Sequence, residues 1–197
     1  LGVYVHKDNP LAAVSYEDLV KLFCDSEDSR NPTWAVVGLG DAFAKEQVDI
    51  VGRDTNSGTR RFMESFLFRN RALRTPVTTA ESNAKVIEEV EKNPFAIAIG
   101  GLKAGSHKAR ALSLRQNNAM IPSTDHAILL GNYPLTRPMT LILDVGQRGE
   151  QAVASREFAR YALSQAGQVQ AILAGFFPFD PPTLRAELVK LDDEAQQ

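Results

Sequence analysis

The side chains best suited to chemistry lie together in Arg53-Asp54-Thr55-Asn56-Ser57-Gly58-Thr59. This segment follows Val48-Asp49-Ile50-Val51, which reads as a strand, and leads into Arg60 to Phe68, which reads as a helix. A strand therefore enters a short polar turn, and the turn opens a helix. The first N–H groups of a helix have no partner inside it, and the aligned peptide dipoles make that end positive. Ser and Thr hydroxyls, a Gly that lets backbone approach a ligand, and an Arg together suit the capture of an oxyanion. The competing reading is an ordinary helix cap, with Ser57 or Thr59 satisfying the first turn and Arg53 on the surface.

Other chemistries find less support. Ser57 sits in Asn-Ser-Gly-Thr, whereas a nucleophile elbow carries Gly two residues to either side of its Ser. His6, His107 and His126 are far apart in sequence, and nothing places one beside Ser57 as a base. The chain is therefore expected not to be an enzyme. Cys24 is the single cysteine, which excludes an internal disulfide and a thiolate cluster for zinc. No His, Asp or Glu cluster has metal-ligand spacing, and no Gly-Lys-Ser/Thr phosphate loop occurs, so neither metal nor cofactor is expected. What remains is non-covalent oxyanion binding at the Arg53 turn.

The bulk numbers agree with a globular binding domain. The 197 residues are 44% hydrophobic and 23% charged, enough for a core. A net charge of -2 argues against a general nucleic-acid binder, whose affinity comes from clustered Lys and Arg. No apolar run reaches the length of a membrane span. The segment from Leu1 lacks a basic leader and a long apolar stretch, so it is not expected to be a signal peptide.

The elements that must position the turn follow from pattern. Val3 to His6 reads as a strand, and Ser15-Tyr16-Glu17-Asp18 as the capped start of a helix with Tyr16, Leu19, Val20 and Phe23 on one face. Asp25 to Pro32 reads as a polar loop, and Trp34 as a packing aromatic. Arg60 and Arg61 read as surface residues, with a broadening of anion preference as the alternative. Arg71 to Ala80 is expected to be a loop ending in a short extended piece. Ser82 caps a second helix with Val86, Ile87 and Val90 inward, which Asn93-Pro94 stops. Phe95 to Ile99 is a buried strand closed by Gly100-Gly101, and Ala111 to Leu114 another short strand. Asn117 to Pro122 is a turn region, and Ser123 is placed to cap a short helix through Ile128 and Leu129. Gly131 to Pro138 is a rigid linker, followed by an apolar strand at Met139 to Leu143. Helices are expected at Ser155 to Ser164, Gly167 to Ala174 and Thr183 to Asp192. Strands alternate with helices, which favours a mixed α/β fold.

Several of these segments together resemble the phosphate-binding substrate proteins of bacterial ABC transporters, of the type II periplasmic-binding-protein fold. The resemblance rests on Arg53…Ser57-Gly58-Thr59, on Val5 to Pro10 followed by Ser15 to Phe23, and on Phe95-Ala96-Ile97-Ala98-Ile99-Gly100. Gly131 to Pro138 and Gly167-Gln168 through Pro178 extend it, in family order, over nearly the whole chain. It implies that Arg53, Ser57, Gly58 and Thr59 contact phosphate or a similar tetrahedral oxyanion. Arg offers paired planar donors, and the hydroxyls and the Gly58 and Thr59 amides offer neutral ones. Asn56 stands where the family usually has Gly, and Thr55 where it has Asp; Asp54 is then the acid available to pair with Arg53.

The resemblance also implies an organisation. Residues 9–137 correspond to the complete second lobe. Residues 1–8 and 138–197 correspond to hinge strands and the C-terminal part of the first lobe. The implied partners are ABC transporter membrane subunits, and the implied location is periplasmic or extracellular. The rest of the first lobe has no counterpart in this sequence, so Met139, Phe158, Phe176, Phe177 and Phe179 are expected to leave apolar surface suited to a homodimer or another partner segment. The alternative function is a sensing or protein-interaction module of the same fold that has lost transport-type binding.

Overall fold

A computed structural model describes residues 1–25, 32–76, 78–101, 106–144 and 148–193. The chain groups into two units, residues 1–127 with 132–136, and residues 128–131 with 137–197. Most of the loop expected at Asp25 to Pro32 lies outside the described residues.

The first unit opens with β1 (Gly2–His6) and β2 (Ala13–Ser15). Ser15 then caps α1 (Tyr16–Phe23). Its hydroxyl accepts from the Asp18 N–H at 3.1 Å, and Asp18 accepts from the Ser15 N–H at 2.9 Å. Two otherwise unpaired amides are thus satisfied reciprocally. Trp34 begins a 3₁₀ turn (Trp34–Val37), is fully buried, and stands edge-on to Phe43, as a packing role requires. Next come α2 (Asp41–Ala44), β3 (Asp49–Arg53) and α3 (Gly58–Phe62). The helix expected to Phe68 widens into a π turn at Met63–Leu67 and ends in Arg69 and Asn70, both at positive φ.

β4 (Thr78–Ala80), α4 (Asn83–Lys92) and β5 (Ala96–Gly100) follow, with the Ser82 hydroxyl accepting from the Lys85 N–H at the start of α4. The single strand expected at Ala111 to Leu114 is two strands, β6 (Ala109–Ala111) and β7 (Ser113–Gln116), which belong to different sheets. Leu112 is fully buried between them. The expected turn at Asn117 to Pro122 is a hairpin into β8 (Ala119–Ile121), with Asn117 and Asn118 at φ 48° and 64°. Asn tolerates that region better than other side chains, which suits it to a two-residue hairpin turn. α5 (Asp125–Leu129) is capped by Thr124, whose hydroxyl accepts from the Ala127 N–H, rather than by Ser123.

The main sheet runs β4-β3-β5-β1-β6, with β1 antiparallel to both neighbours and β3 parallel to β4 and β5. Tyr4, Ala96 and Ala98 pack with Val86, Ile87 and Val90 of α4. Val3, Val5, Ile97 and Ile99 alternate with them and are equally buried. Burial on both faces explains why β1 and β5 read as continuous apolar runs. A smaller sheet runs β2-β7-β8.

The second unit contains α6 (Glu150–Leu163), α7 (Gln165–Leu173) and α8 (Pro181–Asp193). The strand expected at Met139 to Leu143 does not form. No described strand lies beside that segment to pair its backbone, and Ile142 is 88% exposed. Met139, Phe158, Tyr161, Leu173, Phe176 and Phe179 are exposed as well.

Replacing Ser15 by Ala removes the α1 cap, and urea unfolding should show a loss of about 1 kcal/mol.

Candidate anion-binding site

β3 delivers Arg53 to the sheet's edge region as its last residue, in register with Ala80 of β4. The side chain is largely buried, and its guanidinium is gripped by the β4–α4 turn. Nε donates to the Ala80 carbonyl at 3.1 Å, Nη2 to the Glu81 carbonyl at 2.9 Å, and Nη1 to Asn83 Oδ1 at 3.0 Å. Asp54 is the acid beside it, but at 3.8 Å from Nη2 and partly exposed it is a weak partner. An arginine has five N–H donors. One on each terminal nitrogen is therefore left over from these three bonds.

The turn after Arg53 closes through the Ser57 N–H to the Asp54 carbonyl, while Asp54 Oδ1 accepts from the Asn56 N–H. Ser57 is buried and is the N-cap of α3, its Oγ accepting from the Thr59 N–H at 3.2 Å. Serving as the cap leaves the Ser57 hydroxyl its own proton to donate. Thr59 is buried and its amide is engaged by Ser57, so it differs from the open amide expected at that position. The first intrahelical bond is Arg61 N–H to the Ser57 carbonyl. Gly58 is exposed, and among the described residues its N–H and that of Arg60 donate to no protein acceptor.

Beside the turn lies an open depression of about 390 Å³ lined by Arg53, Asp54, Thr55, Arg60, Arg74, Thr75 and Thr79 among others. Its arginines carry local counter-charges. Arg60 is bound to Glu64 at 2.7 Å and reaches back to the Arg53 carbonyl, and Arg74 lies 3.7 Å from Asp25. Arg60 is therefore a half-buried clasp over the turn rather than the surface residue expected, whereas Arg61 is exposed. Gly52 permits the crowding: a Cβ there would fall 2.9 Å from Pro76 Cβ.

A family model described as a PBP superfamily domain matches residues 1–166. The chain belongs to the PBP superfamily. Phosphate-binding protein PstS of Pseudomonas aeruginosa is 26% identical over 185 residues, covering 90% of this chain and 57% of that protein. The chain thus spans about half the length of the curated relatives it matches. A possible phosphate binding protein from Planctomyces limnophilus superposes with a TM-score of 0.77 at 20% identity, covering 98% of this chain and 69% of the other. An ABC-type phosphate transport receptor from Vibrio cholerae gives 0.69 at 21% identity, with coverage of 89% and 68%. The fold is the mixed α/β fold of type II periplasmic binding proteins, as the ordered motifs imply.

In this PBP-type chain, sequence reading named Arg53, Ser57, Gly58 and Thr59 as candidates and missed what holds Arg53. Ala80, Glu81 and Asn83 lie 27 to 30 residues beyond Arg53, and no local pattern announces the contact. Arg60, read as surface, carried a local signal in Glu64 four residues on.

Arg53→Ala should unfold in urea with a stability loss of about 2 kcal/mol, because three acceptors lose a largely buried donor. An unchanged unfolding midpoint would contradict this bracing role.

Proposed function

We propose that this chain binds phosphate or a similar tetrahedral oxyanion without catalysing a reaction on it, as a substrate-binding component of ABC-type uptake. The observation that carries the reading is the group of open donors at the β3–α3 turn. These are the Gly58 and Arg60 amides, the Ser57 hydroxyl and the remaining N–H groups of Arg53, with Thr59 buried beneath them. Neutral donors with one held positive charge suit an anion whose charge is spread over several oxygens. The names of the Pseudomonas aeruginosa relative and of the two neighbouring structures, phosphate-binding proteins or receptors, support the choice of anion. In this reading residues 9–137 form the lobe that carries the site, and the hinge strand 1–8 enters its sheet. Residues 138–197 then supply part of a second lobe, the location is periplasmic or extracellular, and the downstream partners are transporter membrane subunits.

The exposed apolar side chains of α6 and α7, with Phe176 and Phe179, favour a further reading as a protein-interaction module. A homodimer through that face is the form we propose. Gel filtration over a hundredfold concentration range separates monomer from dimer, and Phe158→Glu should shift the profile toward the monomer.

Calorimetric titration with inorganic phosphate tests the binding reading. We expect saturable binding by the unsubstituted chain. Ser57→Ala should weaken it about tenfold, the loss of one hydrogen bond to a charged group. Phosphate binding that is unaffected by Ser57→Ala and by Arg53→Lys would place the anion elsewhere.

A further inference from the structure

Arg53 is oriented by three oxygens, and all three are uncharged: two backbone carbonyls and the Asn83 amide. A carboxylate at position 83 would hold the same N–H group more tightly, yet it would also cancel the charge that an incoming anion needs. Asn83 is the one side chain among the three acceptors, so it alone sets that balance through its chemistry. We infer that Asn83 is a positioning residue for the oxyanion site, which aims the Arg53 guanidinium while leaving its positive charge uncancelled. The inference rests on the proposed binding of an oxyanion at the Arg53 turn.

The geometry around Asn83 supports this. Asn83 is the first residue of α4, directly after the Ser82 cap, so its backbone is fixed by the helix start. Its amide lies against the end of β5. A Cβ built on Gly101 would sit 2.9 Å from Asn83 Nδ2, so only glycine leaves the amide where it is. Gly101 is itself held, since the Tyr4 hydroxyl donates to its carbonyl at 2.8 Å. Burial first, and the neighbouring Tyr133 second, raise the Tyr4 phenol well above its ordinary range and keep it a donor. The other charged groups around the fork are Asp54 at 3.8 Å from Nη2 and Arg60, whose Nη1 reaches the Arg53 carbonyl at 3.4 Å. Lys85 points its charge to Glu88 at 2.7 Å and is also influenced by Glu81. Asp54 is thus only a weak, partly exposed counter-charge to Arg53, and a carboxylate at position 83 would add a second, closer one.

Titration with inorganic phosphate, paired with urea unfolding of the same samples, separates aiming from mere structural support. Asn83→Asp is nearly isosteric and retains an acceptor for Arg53. It should leave the unfolding midpoint at or above that of the unsubstituted chain while weakening phosphate binding about tenfold or more. Gly101→Ala, which displaces the amide without adding charge, should also weaken phosphate binding. Asn83→Asp that binds phosphate within about twofold of the unsubstituted chain would overturn the inference, because a structural brace alone predicts that result. If phosphate binds normally to the unsubstituted chain and to Gly101→Ala, the amide's position is irrelevant and the inference also fails. No saturable binding by the unsubstituted chain removes the oxyanion reading itself and the inference with it.

Discussion

The grip of the β4–α4 turn on the Arg53 guanidinium ties together every part of the site. One side chain joins the ends of β3 and β4 to the start of α4, across 27 to 30 residues of sequence. Ala80 and Glu81 contribute backbone carbonyls, so their placement depends on β4 pairing with β3 in the observed register. Asn83 depends on the Ser82 cap. The β3–α3 turn then begins from a residue that is already fixed, and Arg60 clasps it from the other side. In the proposed binding, a preorganised positive group next to open amides would require little rearrangement on meeting an anion, which is where rigid sites gain over flexible ones.

The second unit has a different physical character. Its helices bury mainly small residues, Ala152, Ala159 and Gly167, with Leu191, while Phe158, Tyr161 and Leu173 face solvent. The run Met139 to Leu143 has strand composition but no ladder. Apolar surface of this extent is costly to leave in water.

What could be read from the sequence was what local pattern encodes. Ser15 and Ser82 marked both long capped helices of the first unit, and the 3.6-residue period placed their buried faces. The continuous apolar runs of β1 and β5 were visible because the sheet is covered on both sides. Of the strands of three or four residues, β4 was legible as a short extended piece and β6 with β7 as one strand, while β2 and β8 were not. β2 and the division at Leu112 depend on partners distant in sequence, and β8 is a three-residue return from a hairpin that read only as a turn region. The Met139 segment erred in the opposite direction, since β composition makes no strand without an edge to pair with. At the site, the types and order of Arg53, Ser57, Gly58 and Thr59 could be read as donors. The engagement of the Thr59 amide by Ser57 is the helix cap that could also be read there, whereas the engagement of Arg53 by Asn83 could not be read, because it is a matter of geometry.

The most direct measurement is a backbone amide spectrum of the isotopically labelled chain during titration with inorganic phosphate. A bound oxyanion at the β3–α3 turn must accept from the amides that lack a protein acceptor. The Gly58 and Arg60 resonances should therefore move furthest and saturate together, with the engaged Thr59 amide shifting less. Phosphate that leaves Gly58 and Arg60 unmoved, or that shifts resonances only in another part of the chain, would contradict the account.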